Sequence, residues 1–253
     1  FFFKQKTAYE IYQCDWSSDV CSSDLHYPCT KGCWTHDHYR SHDEYIGSIQ
    51  SQICMMQFPV MEHFYTIQGE GVHTGKPAYF IRLAGCDVGC VWCDVKESWP
   101  SEGFPLHSPK EMCDWVKSTA AEMVVITGGE PAMYDCNALV DALHNEGYRV
   151  HVETSAAYPL QGQYDWVCIS PKKFKQPQLS EMQRADELKV IVFNDSDFEW
   201  AEKWASTCSE NCALLLQPEW DKRDKMMPKI INYVKENPRW RICIQTHKVI
   251  QVP

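Results

Sequence analysis

The run Gly85-Cys86-Asp87-Val88-Gly89-Cys90-Val91-Trp92-Cys93-Asp94 constrains this chain more than any other stretch. Its three cysteines are spaced C-x3-C-x2-C. As thiolates on one short loop they can converge on one side of a metal cluster, with Gly85 and Gly89 allowing the tight turns this needs. A four-iron cube takes four ligands, so three protein ligands leave one iron open to a small molecule. An open metal position marks a catalytic site, whereas structural sites are closed. Two other readings of the spacing exist: three reduced cysteines without metal, and a zinc site. Zinc needs a fourth ligand, usually from a second cysteine pair, and no such pair follows at a suitable distance. The residues flanking the loop must decide.

The chain has 253 residues, 44% of them hydrophobic, enough for one domain with a substantial core. Its formal net charge of −10 argues against a nucleic-acid surface and for a small-molecule ligand. No apolar run approaches the ~20 residues of a membrane span, and no secretory signal is visible. Fourteen cysteines in a chain of this length read as reduced thiols and metal ligands more readily than as disulfides. These features place the chain in the cytoplasm.

Residues 1–25 show neither structural period and resemble a translated sequencing adapter. Residues 26–54 read as translated upstream sequence, with the start at Met55 or Met56. Residues 1–55 are therefore set apart as a non-native or disordered extension, and 56–253 as the folded domain. Cys29, Cys33, His36, His38 and His42 gather soft ligands in the extension. The gap between Cys33 and His36 is too short for a zinc finger, so chance composition is the preferred reading.

From Met56 onward, strands alternate with helices. Strands are expected at 58–66, 78–83, 122–126, 148–153, 166–169, 187–193, 213–216 and 241–245. Helices are expected from Pro109 to Thr119 behind a Ser108 cap, from an Asp135 cap to Leu143 with a stop at Gly147, and over 195–206 and 225–236. This alternation argues a parallel sheet of βα units. About six parallel strands are too few for a full (β/α)8 barrel, so a partial, open barrel is expected. Thr127-Gly128-Gly129-Glu130-Pro131, Glu153-Thr154-Ser155, Ser170-Pro171-Lys172 and Gln217-Pro218 all fall at C-terminal strand ends, where parallel α/β folds bind ligands. Arg82 suits a carboxylate, because its fork pairs two oxygens at once; a structural ion pair is the alternative. Lys189 lies inside a strand, and the sequence does not decide its role. Lys173 and Lys175 read as a solvated basic face.

Around the cysteine loop stand Phe64-Tyr65-Thr66-Ile67-Gln68-Gly69-Glu70-Gly71, Phe80-Ile81-Arg82-Leu83 and Trp92-Cys93-Asp94. With these motifs the spacing resembles that of the radical S-adenosylmethionine (SAM) enzymes. Within them the chain resembles the 7-carboxy-7-deazaguanine synthase family of queuosine-precursor biosynthesis, from Met56 to Pro253. The resemblance implies a radical SAM lyase that converts 6-carboxy-5,6,7,8-tetrahydropterin to 7-carboxy-7-deazaguanine with loss of ammonia. It implies a [4Fe-4S] cluster on Cys86, Cys90 and Cys93. It implies SAM contacts at Trp92, Cys93, Asp94, Gly129, Glu153, Ser155, Ser170, Pro171, Lys172, Gln217 and Pro218. Substrate contacts follow at Ile67, Gln68, Gly69, Glu70, Arg82 and Thr127, and at Pro253 through its carboxylate; Glu70 would accept hydrogen bonds from pterin N–H groups. A flavodoxin- or ferredoxin-type reductant and a homodimer are also implied. One departure concerns Mg2+: the family's usual threonine after Cys-Asp is Val95 here, and Mg2+ wants oxygen ligands that a valine side chain lacks.

A glycyl-radical-enzyme activating protein shares the cysteine spacing but would act on a large protein; Gln68, Arg82 and Pro253 favour a small acid. A non-catalytic iron–sulfur carrier or zinc module would need further ligands. The remaining candidates in the folded part, Cys113, Cys136, Cys168, Cys208, Cys212 and Cys243, are scattered through it.

Overall fold

The computed structural model describes residues 56–253. The extension at 1–55, with its Cys29–His42 ligand group, lies outside the described residues. In chain order the regular elements are β1 (Phe58–Ile67), β2 (Pro77–Leu83), β3 (Leu106–His107), α1 (Pro109–Lys117), β4 (Met123–Gly128), α2 (Asn137–Asn145), β5 (Arg149–Thr154), β6 (Trp166–Ile169) and α3 (Leu179–Met182). They continue with β7 (Glu187–Val192), α4 (Ser196–Ala205), β8 (Ala213–Pro218), α5 (Arg223–Glu236), β9 (Trp240–Ile242) and α6 (Thr246–Ile250).

The strands form one sheet in the order β3-β1-β2-β4-β5-β6-β7-β8-β9. β1 pairs antiparallel with both β2 and β3, and every pairing from β2 to β9 is parallel. The sheet does not close, since β3 and β9 are its two ends. Seven strands run parallel rather than about six, from β2 through β4 to β9, the last being a short edge strand. It ends at Ile242, not at Gln245. The backbone N–H of Thr246 donates to the Gly69 carbonyl at 2.8 Å, drawing the chain off the sheet edge and into α6, which the sequence reading did not foresee.

Alternation along the strands sorts the residues. On one face Val124, Ile126 and Val150 pack under Met112, Val116, Leu139 and Leu143 of α1 and α2. Further along the sheet, Leu188, Val190, Leu214 and Leu216 pack with Trp204 of α4 and Ile230 of α5. Burying each such side chain is worth ~1.5–3 kcal/mol, and this helical face supplies most of the core. The opposite face carries Thr127, His151, Glu187, Lys189 and Gln217, all buried and all polar, together with the half-buried Glu153. Ser108 caps α1 as expected, in a capping box: its Oγ accepts from the Glu111 backbone N–H, and Glu111 Oε2 accepts from Ser108 N at 2.7 Å. α2 starts later than expected. Asp135 accepts from Asn137 N at 3.0 Å, and Cys136 holds the cap position without a side-chain bond.

Candidate active site

A cavity of about 280 Å³ opens at the C-terminal strand ends. The loop after β2 brings Cys86, Cys90 and Cys93 to its wall. Two backbone bonds anchor this loop: Gly85 N to Ser98 O at 2.7 Å and Cys86 N to Trp99 O at 2.9 Å. Asp87 pins its outer side, accepting from Lys175 Nζ at 2.7 Å and from the Tyr158 hydroxyl. Lys175 is thus a tie on the cysteine loop, and Lys173 pairs with Asp197 at 2.7 Å; neither is merely a solvated face. Burial pushes the Cys90 thiol up to about 11 and raises Cys86 as well. Thiolates here therefore need a cation to balance them, as metal ligation does. Among the described residues no three His, Cys, Asp or Glu groups gather for a single metal ion, as the zinc reading would need. A four-iron cube takes one thiolate per iron, and this donor set suits it.

The turn after β4 fits against that loop. A Cβ on Gly129 would lie 2.2 Å from the Gly85 carbonyl oxygen and 3.0 Å from Cys86 Cβ. Gly129 N donates to Leu83 O at 2.9 Å, and Glu130 N to Gly85 O at 2.8 Å. Glu130 is the residue the sequence reading missed. It is 1% exposed, and its carboxylate accepts from Ala132 N at 3.0 Å and Ser155 N at 2.8 Å, and from the hydroxyls of Thr154 and Ser155. It ties the end of β4 to the end of β5. The Ser155 hydroxyl, expected to be free for SAM, is committed to it.

The Gln68–Gly71 loop covers the cavity from the β1 side. Gln68 Nε2 donates to Glu153 Oε1 at 3.1 Å, and Gln68 Oε1 accepts from Glu70 N at 3.0 Å. Thr127 Oγ1 donates to Glu153 Oε2 at 3.4 Å. Glu70, expected to await substrate, already accepts from Lys189 Nζ and, at 2.9 Å, from Gln245 Nε2. Burial alone would raise the Glu70 carboxyl, but the charge and hydrogen bond of Lys189, aided by Gln245, hold it down at about 2. Lys189, left undecided by the sequence, is a buried lysine with an acidic partner. Arg82 Nε pairs with Glu62 at 2.6 Å, the ion pair weighed for it, and its side chain also lines the cavity. His247 packs against Gly69, where a Cβ would lie 2.2 Å from its Nδ1. Burial lowers its affinity for a proton despite nearby Glu70.

Ile67, Trp92, Asp94, Ser170, Lys172, Gln217, Pro218 and Pro253 also line the cavity. Lys172 donates to Ser170 Oγ and lies 5.4 Å from the Trp92 ring centroid. Asp94 accepts from Lys248 at 3.1 Å, and Thr66 Oγ1 donates to the Pro253 carbonyl at 3.3 Å. Pro171 alone among the expected residues is absent from the lining; its carbonyl accepts from Trp200 Nε1 at 3.4 Å. Val95 lines the cavity without a side-chain oxygen, and its carbonyl already accepts from Ser98 Oγ at 2.7 Å. This position does not suit Mg2+. No helix among the described residues is long and apolar enough to cross a membrane.

Residues 80–170 match the model of the radical SAM superfamily. The chain is 50% identical over 197 residues to the 7-carboxy-7-deazaguanine synthase of Flavobacterium psychrophilum, covering 77% of this chain and 92% of that protein. It is 34% identical to the Escherichia coli K12 protein of the same name, covering 78% of this chain and 100% of that one. The crystal structure of QueE from Escherichia coli superposes with a TM-score of 0.70 at 32% identity, over 83% of this chain and 100% of that chain.

Proposed function

The chain belongs to the 7-carboxy-7-deazaguanine synthase family, and from that premise we propose how its cavity serves a radical SAM lyase. The reaction converts 6-carboxy-5,6,7,8-tetrahydropterin to 7-carboxy-7-deazaguanine with loss of ammonia. The family carries a [4Fe-4S] cluster and SAM, which together supply hydrogen-atom abstraction by one-electron chemistry. In this reading Cys86, Cys90 and Cys93 hold the cluster. Gly129, Glu153, Ser155, Ser170, Lys172, Gln217 and the Trp92–Asp94 stretch form the SAM side. Ile67, Gln68, Gly69, Arg82, Thr127 and Pro253 form the substrate side. The observation that carries it is that the cysteine loop and Gln68, Arg82 and Pro253 line one cavity.

The chain's own residues then do three things. Arg82 keeps part of its guanidinium on the cavity and offers paired N–H donors to the substrate carboxylate. Gln68 and Thr127, both held by Glu153, present a fixed edge of donors and acceptors to the ring. Trp92, Val88 and Ile191 supply apolar wall that excludes water from a reactive radical. Mg2+ gains no side-chain ligand from Val95, so substrate and water would have to hold any such ion. A flavodoxin- or ferredoxin-type reductant, a homodimer and a cytoplasmic location complete the proposal.

The test is anaerobic reconstitution followed by reaction with SAM, dithionite and the carboxytetrahydropterin, with and without Mg2+, read by mass spectrometry. Product is expected in both conditions. Cluster and SAM bound without any deazaguanine would refute the assignment.

A further inference from the structure

Below the ring-binding edge lies an ion pair, Lys189 with Glu70, that has no role in the reading above. Glu153 on β5 and Lys189 on β7 stand on the sheet face away from the helices, and Glu70 reaches down from the loop after β1. Lys189 is 4% exposed. Its Nζ donates to Glu70, and Glu153 adds a second negative charge that favours the ammonium form. Gln68 is wedged between the two acids. Because its Oε1 accepts from Glu70 N, its Nε2 must face Glu153, as it does at 3.1 Å. Gln68, Glu70, Glu153 and Lys189 all line the cavity.

We infer that Lys189 is a positioning residue that keeps Glu70 ionised in the cavity, and so gives the cavity floor an acceptor-rich edge selecting a ring that presents N–H donors. A largely buried carboxylate such as Glu70, with a second acid nearby, stays charged only with a cation paired to it. With Lys189 gone, Glu70 takes a proton and becomes a donor. Gln68 keeps its orientation, held by the Glu70 backbone N–H, and the edge changes polarity at Glu70. The other groups around Lys189 do not replace it. Glu187, on the same face of β7, is an acid whose carboxylate is engaged by Val72 N, Trp166 Nε1 and Cys168. The thiols of Cys168 and Cys243 are raised by burial and stay neutral. His247 faces Glu70, but burial keeps it largely uncharged at neutral pH. Lys248 reaches Asp94 and Gln245. Lys172 sits at the cluster side, with its nitrogen on Ser170.

The ionisation claim is independent of the reaction, whereas the ring-selection claim rests on the proposed function. Two readouts on the anaerobic, cluster-loaded protein separate them. Infrared difference spectra of wild type, Lys189→Met, Lys189→Arg and the double variant Lys189→Met with Glu70→Gln report protonated carboxyls. Calorimetry of 6-carboxytetrahydropterin binding over about pH 5.5 to 8.5 reports the edge. Wild type and Lys189→Arg are expected to show no protonated-carboxyl band at neutral pH and an affinity that changes little across the range. Lys189→Met is expected to show the band and to bind more tightly as pH rises, by up to about tenfold per unit. The double variant is expected to lose the band; it also keeps the test open if Lys189→Met folds poorly, since it removes the uncompensated charge. A Lys189→Met protein without the band, or one weakened equally at every pH, overturns the inference. Expected bands with no pterin binding by wild type would instead sink the substrate assignment and leave the ionisation claim standing.

Discussion

Replacing Glu130 with alanine should be among the most costly single changes in this chain. Its carboxylate serves four donors in a place 1% exposed to solvent. The hydroxyls of Thr154 and Ser155 can rotate toward other acceptors. The backbone N–H groups of Ala132 and Ser155 cannot, because the ends of β4 and β5 hold them in place. A buried donor left without a partner costs ~1–3 kcal/mol, so two of them predict a loss of about 4 kcal/mol, in a range of about 2–6. That is a large part of the ~5–15 kcal/mol that keeps an ordinary domain folded. Glu130→Gln keeps one oxygen but turns an NH2 group toward donors, so about half that loss is expected. Urea unfolding of the metal-free protein under reducing, anaerobic conditions, followed by circular dichroism and tryptophan fluorescence together, measures both. An alanine variant destabilised by less than about 1 kcal/mol would refute the claim that this carboxylate is the buried tie between the two strand ends.

Two further outcomes follow from the packing and the buried charges. Gly129→Ala places a methyl 2.2 Å from the Gly85 carbonyl, which belongs to the backbone entering the cysteine loop and cannot step aside; overpacking should cost ~1–3 kcal/mol, and iron and sulfide content after reconstitution should fall severalfold, so normal cluster loading would contradict the fit. His151 is 3% exposed, its Nε2 has no hydrogen-bond partner among the described residues, and burial lowers its pKa from 6.5 to about 4. The unfolded chain therefore binds the proton first as pH falls, so stability declines from about pH 6.5 toward 4, by at most about 1.4 kcal/mol per unit from this group. His151→Leu should flatten that slope in urea titrations of the metal-free protein, and an unchanged slope would exclude His151 as its source.

The helical side of this fold was written plainly in the chain. Val124, Ile126, Leu188 and Val190 alternate with their neighbours, and Ser108-Pro109 announces a helix start, because those residues answer to local periodicity and capping. The cysteine loop was legible for a different reason: ligand spacing on a short segment needs no tertiary information. What the sequence did not disclose are contacts between distant segments. The last strand stops short at Ile242 and the unforeseen α6 follows it, since the bond from Thr246 to Gly69 spans most of the domain. Arg82 meets Glu62 across the β1–β2 pair, and Glu70 meets Lys189 from another part of the sheet. None of these partners is close enough in sequence to leave a local signal.

One local signal was nonetheless present. Barrel interiors of this architecture are ordinarily filled by branched apolar side chains. Here the face turned from the helices carries His151 and Glu153 on β5, Glu187 and Lys189 on β7, and Gln217 on β8, each alternating with a fully apolar partner. A charged residue at every second position of an otherwise apolar strand is normally read as a solvent-facing side. In a parallel sheet already covered by helices on its other face, it means something else. Glu153, Lys189 and Gln217 line the cavity, whereas His151 and Glu187 border a small separate pocket with Trp166 and Cys168. Through Glu153 and Lys189, the strands Arg149-Val150-His151-Val152-Glu153 and Glu187-Leu188-Lys189-Val190 thus mark the ligand chamber alongside the cysteine loop. They do so by where their polar residues are tolerated, whatever reaction takes place above them.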